Sequence, residues 1–223
     1  DRIFSGVMKS IGATKVDSVE DAFDIAAAFA TQPLPRGNRV AILTTVGGWG
    51  VVTADALARN GVLQLTELSD DLMAKLSDLL PPRWSRNNPI DCAGGETRDT
   101  VTEIMDIVAG HNSVDAVIFL GIGIQSNQAR MMREGKFFPD HGLERIVNYH
   151  ETQDARYAEQ AQAVSKKYDK PVLVATELAV ADPANPGPRT AQLSGTYCFP
   201  TGARAVASLA ELYRYGQYRG VAQ

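Results

Sequence analysis

Three short runs of nearly unbroken apolar character constrain this chain most: Val40-Ala41-Ile42-Leu43-Thr44, Ala116-Val117-Ile118-Phe119-Leu120 and Pro171-Val172-Leu173-Val174-Ala175-Thr176. None alternates apolar with polar, as a strand with one wet face would. Continuous apolar runs of this length belong to strands covered on both faces. Weaker strand signals lie at Val62-Leu63-Gln64-Leu65, at Asn88-Pro89-Ile90-Asp91-Cys92 leading to Gly94-Gly95, and at Thr196-Tyr197-Cys198-Phe199.

Helical patterns separate these runs. One passes through Val51, Ala54, Leu57 and Ala58 and ends at Gly61, a residue suited to a left-handed C-cap. Another is capped by Ser69, carries Leu72, Leu76, Leu79 and Leu80, and stops at Pro81-Pro82. Further helices are expected on Val101, Ile104 and Val108, over about Glu151 to Tyr168, and after Thr201 on Val206, Leu209, Leu212 and Tyr213. Strand and helix therefore alternate from Arg39 onward. That alternation predicts βαβ units in an α/β fold: a doubly wound parallel sheet with helices on both faces.

Residues 1–36 read as a helical lead-in or linker, and 37–223 as the main domain. In the lead-in, Val19, Ala22, Phe23, Ala26 and Ala30 fall on one helix face, with Ser18 as N-cap and Glu20 and Asp21 in the first turn. Gln32-Pro33-Leu34-Pro35-Arg36-Gly37 breaks that helix, and Ala181 to Pro188 reads as a Pro-rich surface loop. The first residue is Asp1 rather than Met, which suggests a piece of something longer.

Charge narrows the partners. Net charge is -4 with no Lys/Arg run, which argues against nucleic acid. No apolar stretch has the length of a membrane span, and no signal-peptide pattern occurs, so a cytoplasmic location is expected. Cys92 and Cys198 match no metal spacing and read as buried free thiols. His111, His141 and His150 read as structural; no Gly-x-Ser-x-Gly elbow and no His/Glu metal motif is present. No residue is singled out as catalytic or as a metal ligand.

Two strand ends are glycine-rich, and ligands in open α/β sheets bind beyond such ends. The first is Thr44-Thr45-Val46-Gly47-Gly48-Trp49-Gly50. Glycine lets backbone approach a ligand closely, and the helix that follows opens with N–H groups lacking intrahelical acceptors. Those donors and the positive dipole end suit a phosphate, held by Gly47, Gly48, Trp49 and Gly50, or leave a tight turn with no ligand. Thr53 stands where a dinucleotide fingerprint needs glycine, and no Gly-Lys-Ser/Thr follows, so neither the Rossmann nor the Walker pattern applies. Trp49 is large for such a turn and fits either a ligand cover or an interface. The second end is Gly121-Ile122-Gly123-Ile124-Gln125-Ser126, where Gln125 and Ser126 could add side-chain bonds to a carboxylate. Asp91 could orient a neighbouring loop or cap the turn at Gly94-Gly95.

Taken in order, Gly12-Ala13-Thr14-Lys15-Val16-Asp17-Ser18, Gln32-Pro33-Leu34-Pro35, Arg39 to Thr44 with Gly47-Gly48-Trp49-Gly50-Val51, Ala54-Asp55-Ala56-Leu57, Asn88-Pro89-Ile90-Asp91 and Cys198-Phe199-Pro200-Thr201 form a pattern over nearly the whole chain. It resembles the NDP-forming acyl-CoA synthetases, the ADP-forming acetate–CoA ligase group of the succinyl-CoA synthetase superfamily. The resemblance implies a CoA-ligase domain of flavodoxin-like fold. It implies a reversible reaction in which acyl-CoA, phosphate and NDP give acid, CoA and NTP with Mg²⁺, through an acyl phosphate and a phosphohistidine. That histidine is implied to lie upstream of the lead-in, and the CoA-binding and ATP-grasp domains outside this chain. The resemblance therefore implies no turnover by this chain alone and no cofactor held tightly by it; CoA, ADP/ATP and Mg²⁺ belong to the complete enzyme. It assigns Gly47, Gly48, Trp49 and Gly50 to the phosphate and Gly123, Ile124, Gln125 and Ser126 to a small organic acid. Trp49 stands where the family commonly has a small residue or Pro. A non-catalytic regulatory or assembly domain of the same ancestry, or a flavodoxin-like nucleotide or flavin binder, are the alternatives.

Overall fold

A computed structural model describes residues 2–92, 94 and 99–222. Gly95, half of the turn expected after the third strand, lies outside them. In chain order the elements are α1 (Arg2–Ser10), α2 (Val19–Thr31), β1 (Arg39–Thr44), α3 (Gly47–Asn60), β2 (Gln64–Leu65), α4 (Asp70–Leu79), β3 (Ile90–Asp91), α5 (Thr100–Gly110), β4 (Ala116–Leu120), α6 (Ile124–Arg133), α7 (Leu143–Tyr168), β5 (Val172–Ala175), α8 (Leu178–Ala181), α9 (Pro186–Leu193), β6 (Cys198–Phe199) and α10 (Gly202–Tyr218).

All strand pairs are parallel, in the order β2-β1-β4-β5-β6. β4 runs beside the whole of β1, Val40↔Ala116 through Thr44↔Leu120. β2 and β3 divide the other edge: Arg39 and Val40 pair with β2, Leu43 and Thr44 with β3. Asn88 fills the gap between them. Its Oδ1 accepts the Ile42 N–H at 2.9 Å, and its Nδ2 donates to the carbonyls of Val40 at 2.9 Å and Thr66 at 3.1 Å. A buried side-chain amide thus replaces backbone in the ladder, which satisfies groups that would otherwise be costly to bury.

The continuous apolar strands have the two-sided cover their composition demands. Ala41, Leu43, Val117, Phe119 and Val174 face a core built with α4, α5 and α7. Val40, Ile42, Ile118, Leu173 and Phe199 face one built with α2, α3 and α10. The doubly wound parallel sheet expected from the sequence is what forms.

Three local expectations are corrected. The apolar stripe of α2 is not its packing face: Val19 and Phe23 are exposed, and Asp24, Ile25 and Ala28 are buried. The reason is a polar tie. Asp24 accepts the Tyr197 hydroxyl at 2.8 Å and pairs with Arg204 of α10, and that pairing sets the roll of the helix. Gln32, just beyond α2, donates to Thr196 Oγ1 and accepts the Val172 N–H, both at 2.9 Å. Second, Ala181 to Pro188 is not simply surface loop. Asn185 caps α9, Pro186 opens it, and Gly187 and Pro188 are buried. Third, α7 begins at Leu143, so His150 lies within it rather than at its start.

Candidate functional site

The strand order reverses between β1 and β4. From β1 the chain passes through α3 to β2; from β4 it passes through α6 and α7 to β5. Leu57 of α3 packs on one face of the sheet and Tyr157 of α7 on the other. The crevice at such a switch point is where open α/β sheets take ligands. Both glycine loops lie at it, and they touch: a Cβ on Gly121, whose φ is +95°, would collide with the Thr45 hydroxyl.

The first loop is tied by Thr44, whose Oγ1 accepts the Val46 N–H at 2.9 Å and bonds the Val46 carbonyl at 2.8 Å. Trp49 N–H donates to that same carbonyl at 3.0 Å. Among the described residues, the N–H groups of Gly47 and Gly48 have no acceptor. Gly48 is exposed, and a Cβ there would meet nothing within 4 Å. The Asp91 carboxylate flanks the other side, where a Cβ on Gly47 would strike it. This helix start thus offers two donors without an acceptor among the described residues, on the positive dipole end and beside one carboxylate.

The second loop is arranged differently. Gly123, in the left-handed region at φ +92°, is buried. Asp154 of α7, with no exposed surface, accepts the Ser126 N–H at 2.7 Å. Burial pushes the Asp154 carboxyl up from its ordinary range, and the N–H groups of Ser126, Gly123 and Gln125 oppose that shift. Asn185 closes the loop from the other side, donating to the Gly123 carbonyl and accepting the Gly187 N–H, each at 3.0 Å. Gln125 Oε1 pairs with His150 Nδ1, and burial lowers the pKa of that histidine. An acid expected on Gly123, Ile124, Gln125 and Ser126 would compete with Asp154 for the same donors.

Trp49 leaves its loop and packs partly buried against the core beneath α3, while Gly50 fits against Thr44 and Pro89. His111 bonds Ser113 and Asp71 at the end of α5, a structural position. Cys92 and Cys198 are free and buried, and burial pushes the Cys198 thiol up to about 12. Among the described residues no group of three His, Cys, Asp or Glu side chains could hold a metal, and no helix is long and apolar enough to cross a membrane. Sequence reasoning missed Asp154 and Asn185. Asn185-Pro186 is a helix-start signature that was there to be read; nothing local marks Asp154.

Residues 40–123, from β1 to the second glycine loop, match the family model described as the Ligase-CoA domain. An ADP-forming 4-hydroxybutyrate–CoA ligase of Nitrosopumilus maritimus is 30% identical over 118 residues, 53% of this chain and 17% of that protein. Subunit alpha of the ADP-forming acetate–CoA ligase II of Pyrococcus furiosus is 33% identical over 117 residues, 52% of this chain and 25% of that subunit. Among solved structures, the dinucleotide-forming acetyl-coenzyme A synthetase 1 of Ca. Korarchaeum cryptofilum matches with a TM-score of 0.72 and 25% identity, over 99% of this chain and 42% of that one. That protein has also been solved in complex with phosphate and ADP. The matches span a quarter or less of the two curated relatives. The fold, the matched Ligase-CoA domain at the switch point and these relatives together support a likeness to the NDP-forming acyl-CoA synthetases.

Proposed function

We propose that this chain is the ligase module of an NDP-forming acid–CoA ligase, working with CoA-binding and ATP-grasp domains or subunits. The observation that carries the reading is the start of α3. Gly47 and Gly48 present unengaged N–H groups at the switch point, and Gly48 is exposed. In this reading they receive phosphate. The adjacent Asp91 limits the charge the site accepts, which favours monoanionic phosphate, or a phosphoryl group carried on a cationic partner such as an imidazole, over the dianion. The phosphoryl carrier is a histidine outside these residues, so the chain alone does not turn over. CoA, ADP/ATP and Mg²⁺ are met in the assembled enzyme, and this chain holds none of them tightly. Trp49 packs on the core and leaves Gly48 uncovered, which argues against the indole plugging the phosphate position.

The test is Gly48→Pro in the assembled enzyme. Proline is tolerated in the first turn of a helix and removes only the N–H. A charge-assisted bond of this type is worth about 1.5–3 kcal/mol, so the KM for phosphate should rise tenfold or more while the KM for CoA stays put. An unchanged phosphate KM would overturn the reading.

A further inference from the structure

A cavity of about 470 Å³ opens between α6, α7 and the segment that joins α8 to α9. Ser126, Arg130 and Arg133 line it from α6, Glu151 from α7 and Asp182 from the joining segment. The three α6 residues stand at i, i+4 and i+7, so they form one stripe, with Arg130 about 6 Å along the helix from Ser126. Two ion pairs cross the cavity. Arg133 holds Glu151 at 2.7 Å, whereas Arg130 reaches Asp182 only at 3.4 Å. A solvent-exposed pair that long contributes little.

Unpaired oxygens at one end of the stripe point independently to a ligand. Among the described residues, three buried side-chain oxygens lack a hydrogen-bond partner, and two of them are Ser126 Oγ and Asp154 Oδ1. Ser126 is 7% exposed and Asp154 not at all, and the Ser126 N–H ties the two residues together through Asp154 Oδ2. Groups buried this deeply are normally satisfied. An ionised carboxylate only accepts, so the Ser126 hydroxyl can satisfy Asp154 with its proton and then has lone pairs left for the cavity. What completes that chain is a hydrogen-bond donor, not another carboxylate. The positive end of α6 does not reverse the preference, because Asp154 already neutralises it.

We propose that this cavity binds a free α-amino acid as its zwitterion. The ammonium group donates to Ser126 Oγ and to the Asp182 carboxylate, and the ligand's carboxylate takes the Arg130 guanidinium. The zwitterion inserts into the long Arg130–Asp182 pair and exchanges one loose contact for two charge-assisted ones. A simple acid would leave Asp182 facing it without its arginine, and a simple amine would leave Arg130 without a carboxylate. Only a ligand with both charges keeps the cavity balanced. The volume is in the range of small-molecule sites and leaves room for a side chain. Place and ligand class stand apart from the phosphate reading at α3.

The experiment titrates the 223-residue protein with each standard L-amino acid in turn, and with methylammonium and acetate as the two halves, following backbone amide resonances. At least one amino acid should give saturable shifts at Ser126, Asn127 and Arg130. Methylammonium and acetate should each bind about tenfold more weakly or worse. Ser126→Ala should weaken the best amino acid about tenfold, the loss of one hydrogen bond to a charged group. The surface changes Arg130→Gln and Asp182→Asn should each weaken it severalfold, Arg130→Gln leaving methylammonium unaffected. Acetate shifting the same amides as strongly as an amino acid overturns the proposal in favour of a plain acid site. Methylammonium doing so overturns it in favour of an amine site. No saturable shift with any amino acid, or equal binding by Ser126→Ala, overturns it outright and leaves the two buried oxygens to a water.

Discussion

The starts of α3 and α6 are the same device built twice and finished in opposite ways. Each follows a strand of one adjacent pair, each loop contains glycines, and the two loops touch through Thr45 and Gly121. At α3 the N–H groups of Gly47 and Gly48 have no acceptor among the described residues, and Gly48 is exposed. At α6 the corresponding donors turn inward to Asp154, which has no exposed surface. The difference teaches that a glycine-rich strand end specifies the backbone path but not whether its N–H groups are free. A residue 28 positions beyond Ser126 decides that at α6.

The comparison breaks most visibly if Asp154 is removed. Asp154→Ala strands a buried N–H and should cost about 2–3 kcal/mol in denaturant unfolding. Asp154→Asn should cost less, with a defined pH dependence. Burial raises the folded pKa above the unfolded value, so the wild type loses stability as pH rises from the unfolded carboxyl pKa through the folded one. The wild type should therefore gain on Asp154→Asn as pH falls from neutrality toward about 4. A constant difference across that range would mean the Asp154 carboxyl titrates normally.

Gly123→Ala comes next, at about 1–2 kcal/mol, because alanine is strained at φ +92° and its methyl would press on Asn185. Gly48→Ala, at the matching helix start, should change stability by no more than about 0.5 kcal/mol, since its side chain enters open space. Equal costs for the two alanines would erase the distinction between a sealed and an open helix start.

The sheet was legible in the sequence because strands buried on both faces leave unbroken apolar runs, as at Ala116–Leu120. The α3 loop followed from its glycines, whereas the strand order, and with it the switch point, is not given by the alternation of elements. What was not legible depends on partners distant in sequence. The roll of α2 is fixed by Asp24 with Arg204 and Tyr197, so its apolar stripe at Val19 and Phe23 misleads. The seal on α6 comes from Asp154, which in the sequence is one more polar residue on a long helix. Asn185 was overlooked inside a Pro-rich stretch that read as loop, although its cap on Gly187 is local.

The most direct measurement is a phosphate titration of this chain followed at single amides of both helix starts. Saturable shifts should concentrate at Gly47 and Gly48 while Gly123, Gln125 and Ser126 stay still. Shifts at Gly123 to Ser126 with Gly47 and Gly48 silent would contradict the account.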